Sequence, residues 1–162
     1  MRPDARDIAR MVPMHQLLAA FGVRVRNRKR AEVLRASPGA NDQTKQSTVA
    51  RWYREQVKAA VPDLIAKWEP LVGVRVERIF VQKMKTKWGR CNPGARSIRL
   101  NTDLAKKPRV CLEYIVVHEM VHILEPTHSA RFVALMDRLM PQWCWYRNEL
   151  NRAPLTHESW SY

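Results

Sequence analysis

The chain alternates between helical and extended hydrophobic periods from residue 47 onward. Val49, Trp52, Tyr53, Gln56, Val57 and Ala60 fall on one face at helical spacing, and Ser47 is a natural cap before them. Pro62 breaks or kinks this helix. Leu64, Ile65 and Trp68 continue the stripe until Pro70 and Gly73 end it. The period then changes to two. Val72, Val74 and Val76 oppose Arg75 and Glu77, and Ile79, Phe80 and Val81 extend the run, which predicts a strand over 74–82. Segments 86–91 and 97–101 flank Asn92-Pro93-Gly94, turn chemistry that predicts a β-hairpin with Ile98 and Leu100 on its buried side.

Helical spacing returns at about Val110 and holds to Leu124, where Pro126 stops it. Thr127 or Ser129 can cap a further helix, with Phe132, Val133, Met136, Leu139 and Met140 as its apolar stripe and Pro141 as its end. Trp143, Trp145 and Tyr146 follow and read as an aromatic cap on the core. The order of elements predicts an α+β fold with a small antiparallel sheet.

The first 48 residues carry no such period. They hold the basic run at 23–30 and a loop signal at 37–42, with a short helix over 5–21 as their only candidate element. The expected division is therefore a basic, loosely ordered arm at 1–48 and a folded domain at 49–162.

Composition adds three constraints. No stretch approaches the ~18 apolar residues of a spanning helix, so no membrane role is expected. Cys91, Cys111 and Cys144 are odd in number and lack C-x-x-C spacing, which favours a reducing, cytoplasmic setting over a disulfide framework or a cysteine zinc knuckle. Cys91 and Cys111 read as small buried residues. Lys and Arg total 29 against 15 Asp and Glu, a net charge of +14, and such a surface attracts polyanions.

The chemistry lies in His118-Glu119-Met120-Val121-His122. Histidines four apart stand above one another on a helix, so both imidazoles can reach one ion, and Glu119 can touch a water on it. Apolar neighbours on most sides predict that the helix is buried. Two histidines and a glutamate would be costly there without a partner, which a metal supplies. A third ligand has to follow the turn at Pro126, because Glu125 lies about 10 Å beyond His118 along a straight helix. His128 is the choice, with Glu125 at a distorted helix end as the alternative; His15 and His157 sit in unpatterned ends. Three neutral histidines around Zn2+ leave one position open, and Glu119 then serves as general base toward a metal-activated water. The predicted activity is peptide-bond hydrolysis, with a polypeptide as substrate.

Several segments occur in a telling order: Lys83-Met84-Lys85-Thr86-Lys87-Trp88-Gly89-Arg90-Cys91, Ile98-Arg99-Leu100-Asn101, Tyr114 to His122, and Glu125-Pro126-Thr127-His128-Ser129-Ala130-Arg131-Phe132. Over about 50–150 the chain resembles the YgjP-like metallopeptidase domain, a relative of the SprT-like zinc proteases. The resemblance implies a zincin-like fold, zinc on His118, His122 and His128, and Glu119 as base. The family usually reads Trp-Gly-Ser-Cys, and Arg90 stands here in place of the serine.

Two further readings stay open. Trp88 and Gly89 either fill the core and permit a close backbone approach or line a substrate cleft along a strand edge. Lys83, Lys85 and Lys87 alternate, so on a strand they share one face. That face is either merely solvated or a nucleic-acid contact, as a protease acting on DNA-bound proteins would need.

Overall fold

The computed structural model describes residues 42–152. The expected arm up to residue 41, with its helix over 5–21, and both His15 and His157 lie outside them. The chain divides into two units between Trp52 and Tyr53, within the first described helix. All that follows concerns the second, apart from the start of that helix.

Helix α1 spans Asp42–Val72. It begins upstream of the expected cap, so Ser47 is interior, and it runs through both Pro62 and Pro70. Each proline removes one backbone N–H and frees a carbonyl one turn earlier. Both rings are on the exposed side of the helix, where water can take the freed groups. The other side buries Val57, Val61, Leu64, Trp68 and Val72 at helical spacing. Gly73, with φ 78°, ends the helix by donating its N–H to the Glu69 carbonyl at 2.9 Å.

Three short strands follow: β1 (Arg78–Gln82), β2 (Gly89–Asn92) and β3 (Ser97–Asn101). They pair in the order β1-β3-β2. The expected hairpin is present, with β2 antiparallel to β3, but β1 runs parallel to β3. The sheet is therefore mixed rather than antiparallel. The reason is the connection at 83–88, which crosses from β1 past β3 and lets β2 enter as the edge strand. Residues 74–77, expected as strand, precede the ladder. Inward-facing Ile98 and Leu100 are fully buried.

A 3-10 turn (Thr102–Lys106) leads to α2 (Arg109–Leu124), α3 (Ala130–Leu139) and α4 (Trp143–Arg152). Helix α2 is central. It packs on β2, β3, the 3-10 turn, α3 and α4, and its residues from Cys111 to His122 are buried except Glu113. Helix α4 occupies the segment expected to be a mere aromatic cap. Trp143 is buried and donates its indole N–H to Asp137 at 2.7 Å, whereas Trp145 is exposed. Among the described residues no helix is long and apolar enough to cross a membrane.

The connection at 83–88 also corrects the lysine ridge. Lys83, Lys85 and Lys87 are exposed but not on a strand, and Lys83 pairs with Asp103. Buried Asn101 fixes the loop instead. Its amide donates to the carbonyls of Met84 at 2.9 Å and Lys87 at 2.7 Å, and its oxygen accepts from Asp103 N–H at 3.1 Å. The backbone N–H of Asn101 adds a bond to the Trp88 carbonyl at 2.9 Å. One side chain thus delivers Trp88 and Gly89 to α2.

Candidate metal centre

His118 and His122 lie one turn apart on α2, as the spacing requires. The chain leaves α2 at Glu125, whose backbone is extended, and turns at Pro126. Ser129 then caps α3 by accepting the Phe132 N–H at 3.3 Å. This cap sets where His128 stands, immediately before the helix. The turn carries His128 back over α2.

The three Nε2 atoms converge. His118 and His122 are 3.2 Å apart, His122 and His128 3.0 Å, and His118 and His128 3.1 Å. These three residues form a group able to hold a metal ion. The His122 Nδ1–H donates to the Glu125 carbonyl at 3.0 Å, which leaves a lone pair on its Nε2. His118 Nδ1 lies 3.5 Å from the Tyr114 hydroxyl. Three ring nitrogens so close cannot all satisfy one another, because each bond between two needs an N–H on one of them. A cation at the common centre accepts all three lone pairs, and an all-imidazole set suits zinc.

Electrostatics favours the ligand form of each ring. Burial holds His118 well below the usual imidazole range, and the charges of its two partners push the same way. Burial also lowers His122. His128 is pushed down to about 4 by burial and then by His122. All three are neutral at pH 7, with lone pairs available. Phe132 floors the cluster, with its ring centroid 4.9, 4.6 and 4.8 Å from those of His118, His122 and His128. It excludes water from one side of the imidazoles.

Glu119, which follows His118 on α2, is buried. Burial pushes its carboxyl up to about 8, against a smaller downward pull from Lys87. Its side chain fills the space over Gly89. A Cβ on that glycine would lie 2.8 Å from both Cγ and Cδ of Glu119. The glycine is therefore demanded by close approach, the first of the two readings of Trp88-Gly89. Trp88 itself is buried in the core. Glu125, the alternative third ligand, is engaged elsewhere, its carboxylate accepting the Thr127 hydroxyl at 3.0 Å. Cys91 and Cys111 thiols are both pushed up to about 12, chiefly by burial, and stay protonated.

Three contributors fall within the segments that carry the family resemblance, but residue type and spacing gave them no role at the site. Phe132 reads as one more residue of an apolar stripe, although it lies one turn after His128. Tyr114 likewise lies one turn before His118, but that face of α2 is apolar around it. Asn101 looks like a strand end.

The model of the YgjP-like metallopeptidase domain matches residues 16–153, extending upstream of the segment whose motifs carry the resemblance. No curated protein matches the sequence. Among solved structures, the crystal structure of the metallopeptidase zymogen of Pyrococcus abyssi abylysin matches with a TM-score of 0.53 at 18% identity, covering 57% of this chain and 92% of that one. That likeness shows the fold, which is zincin-like. The family match spans most of the chain, and the protein belongs to the YgjP-like metallopeptidase domain family, hydrolases of peptide bonds.

Proposed function

We propose that the chain is a zinc-dependent metalloendopeptidase, with the ion on His118, His122 and His128 and with Glu119 as general base. The convergence of three neutral imidazoles, with a buried carboxyl on the residue after the first of them, carries this reading. Three protein ligands leave a coordination position for the reaction, as in catalytic rather than structural zinc sites. Bound there, the ion supplies a Lewis acid that polarises the scissile carbonyl and acidifies water.

The protein supplies the rest. Glu119 takes the proton as water attacks and hands it to the leaving amine. Its raised pKa suits both transfers near neutral pH, and a cation in the histidine cluster would draw that pKa down toward the base form. Gly89 keeps the carboxylate close to the strand without a clash. The outer edge of β2 has no strand partner among the described residues, and an extended polypeptide can add there through main-chain hydrogen bonds. Arg90 follows Gly89 on this strand. Three free cysteines among the described residues suit a reducing, cytoplasmic setting.

The test is hydrolysis of an unfolded protein by the zinc-loaded full chain, with Glu119→Gln as the blank. Cleavage that disappears in the blank supports the assignment. Equal cleavage by both proteins removes Glu119 from the reaction.

A further inference from the structure

Strand register divides the sheet between two faces. Gly89, Cys91, Ile98 and Leu100 share the face toward α2. The opposite face carries two rows across the strands. Phe80, Arg99 and Arg90 stand side by side in one, and Arg78, Ser97 and Asn92 in the next. Phe80, Arg78, Arg90 and Arg99 are exposed.

Three arginines on one small face repel one another. No acidic side chain appears in either row. None of the three arginines has an ion pair among the described residues. The Arg99 guanidinium lies over the Phe80 ring, 5.3 Å from its centroid. Arg90, Asn92, Ser97 and Arg99, with Cys91 and Pro93, line an open cavity of about 300 Å³. The Asn92 carboxamide oxygen accepts the Ala95 N–H at 3.2 Å, so its N–H groups remain to donate. The cavity thus offers two guanidiniums, an amide and a hydroxyl, the donor set for a phosphate.

We propose that this outer face of the sheet binds single-stranded nucleic acid, with phosphates in the arginine-lined cavity and a base stacked on Phe80. The exposed Phe80 ring favours this ligand over an acidic polypeptide, because every base has a face to stack and a carboxylate side chain has none. An exposed ring reaches unstacked bases, which a duplex does not present. The histidine cluster is on the other side of β2, so this surface is independent of the peptidase assignment.

Fluorescence anisotropy of a labelled oligothymidine over a salt series tests the proposal with the full chain. The Arg90→Ala/Arg99→Ala protein should bind about 10-fold more weakly at low salt. Its slope of log Kd against log salt should fall by about 1.4, as expected for two lost phosphate contacts at ~0.7 each. Phe80→Ala should weaken binding by a similar factor and leave the salt slope unchanged. Arg90→Lys/Arg99→Lys should restore the slope and only part of the affinity. All these side chains are exposed, and matching circular dichroism confirms that the variants fold. Absence of wild-type binding at low salt overturns the proposal, as does full affinity in the double alanine variant. Tighter, equally arginine-dependent binding of labelled polyglutamate, indifferent to Phe80, reassigns the face to an acidic polypeptide.

Discussion

Helix α2 and the outer face of the sheet hold polar groups in opposite ways. On α2 the histidines and glutamate are buried and mostly neutral, held to their positions by neighbours on every side. On the sheet, arginines stand charged in water with few contacts. Desolvation decides the difference. A buried ionisable group has to neutralise or find a partner, so its geometry is fixed and its substitution is severe. An exposed guanidinium keeps its hydration and acts when a ligand arrives. Fixed distances suit the first region to the chemistry proposed for it, and hydrated charge suits the second to the broad electrostatic contact proposed there.

This contrast breaks most sharply at Glu119. Glu119→Gln should lower peptide hydrolysis by about 10²–10⁴-fold, with zinc content by metal analysis unchanged. An effect under threefold would mean that the buried carboxyl is structural. Removing the metal comes next. A chelator should lower the melting temperature by about 5 °C or more if the ion binds only the folded chain, and His122→Ala should abolish that dependence.

Two substitutions sharpen the role of the strand beside α2. Asn101→Ala leaves the carbonyls of Met84 and Lys87 without their amide donor. It should cost about 2–3 kcal/mol in urea unfolding, and activity should fall with it because the loop no longer holds Gly89 in place. Gly89→Ala should cost about 1–3 kcal/mol through overpacking and reduce turnover more than substrate affinity, since its Cβ displaces Glu119.

The smallest effect belongs to Asp103. Burial raises its pKa, but hydrogen bonds from Lys106 and Lys83 outweigh burial and hold it below the usual carboxylate value. A depressed folded pKa contributes stability above the unfolded pKa, and that contribution is lost as pH falls through the folded one. Both lysines are about half exposed or more, so the contribution should be at most ~1 kcal/mol. The wild-type chain should lose this increment on acidification below about pH 4. Asp103→Asn should be flat there, as denaturant midpoints across the pH series will reveal.

Local patterns made much of this legible. The turn at Asn92-Pro93-Gly94 foretold the hairpin, and apolar residues around His118 and His122 foretold a buried helix. Pro126 pointed to a third histidine beyond the turn. Patterns misled where distant parts of the chain decide. Pro62, on an exposed helix side, did not end α1, the lysines at 83–87 fell in a crossing loop, and an aromatic segment folded as α4.

By itself the sequence determined the residue types of the candidate site, their spacing on one helix and the elements around them, because these depend on neighbours within a turn or two of chain. Only the tertiary structure decided the parallel pairing of β1 with β3, the closure of His128 onto α2 above Phe132, and the contact of Gly89 with Glu119. It also gathered Arg78, Arg90 and Arg99 on one face of the sheet with Phe80. Each of these joins residues far apart in the chain, and strand register and close packing, rather than local propensity, bring them together.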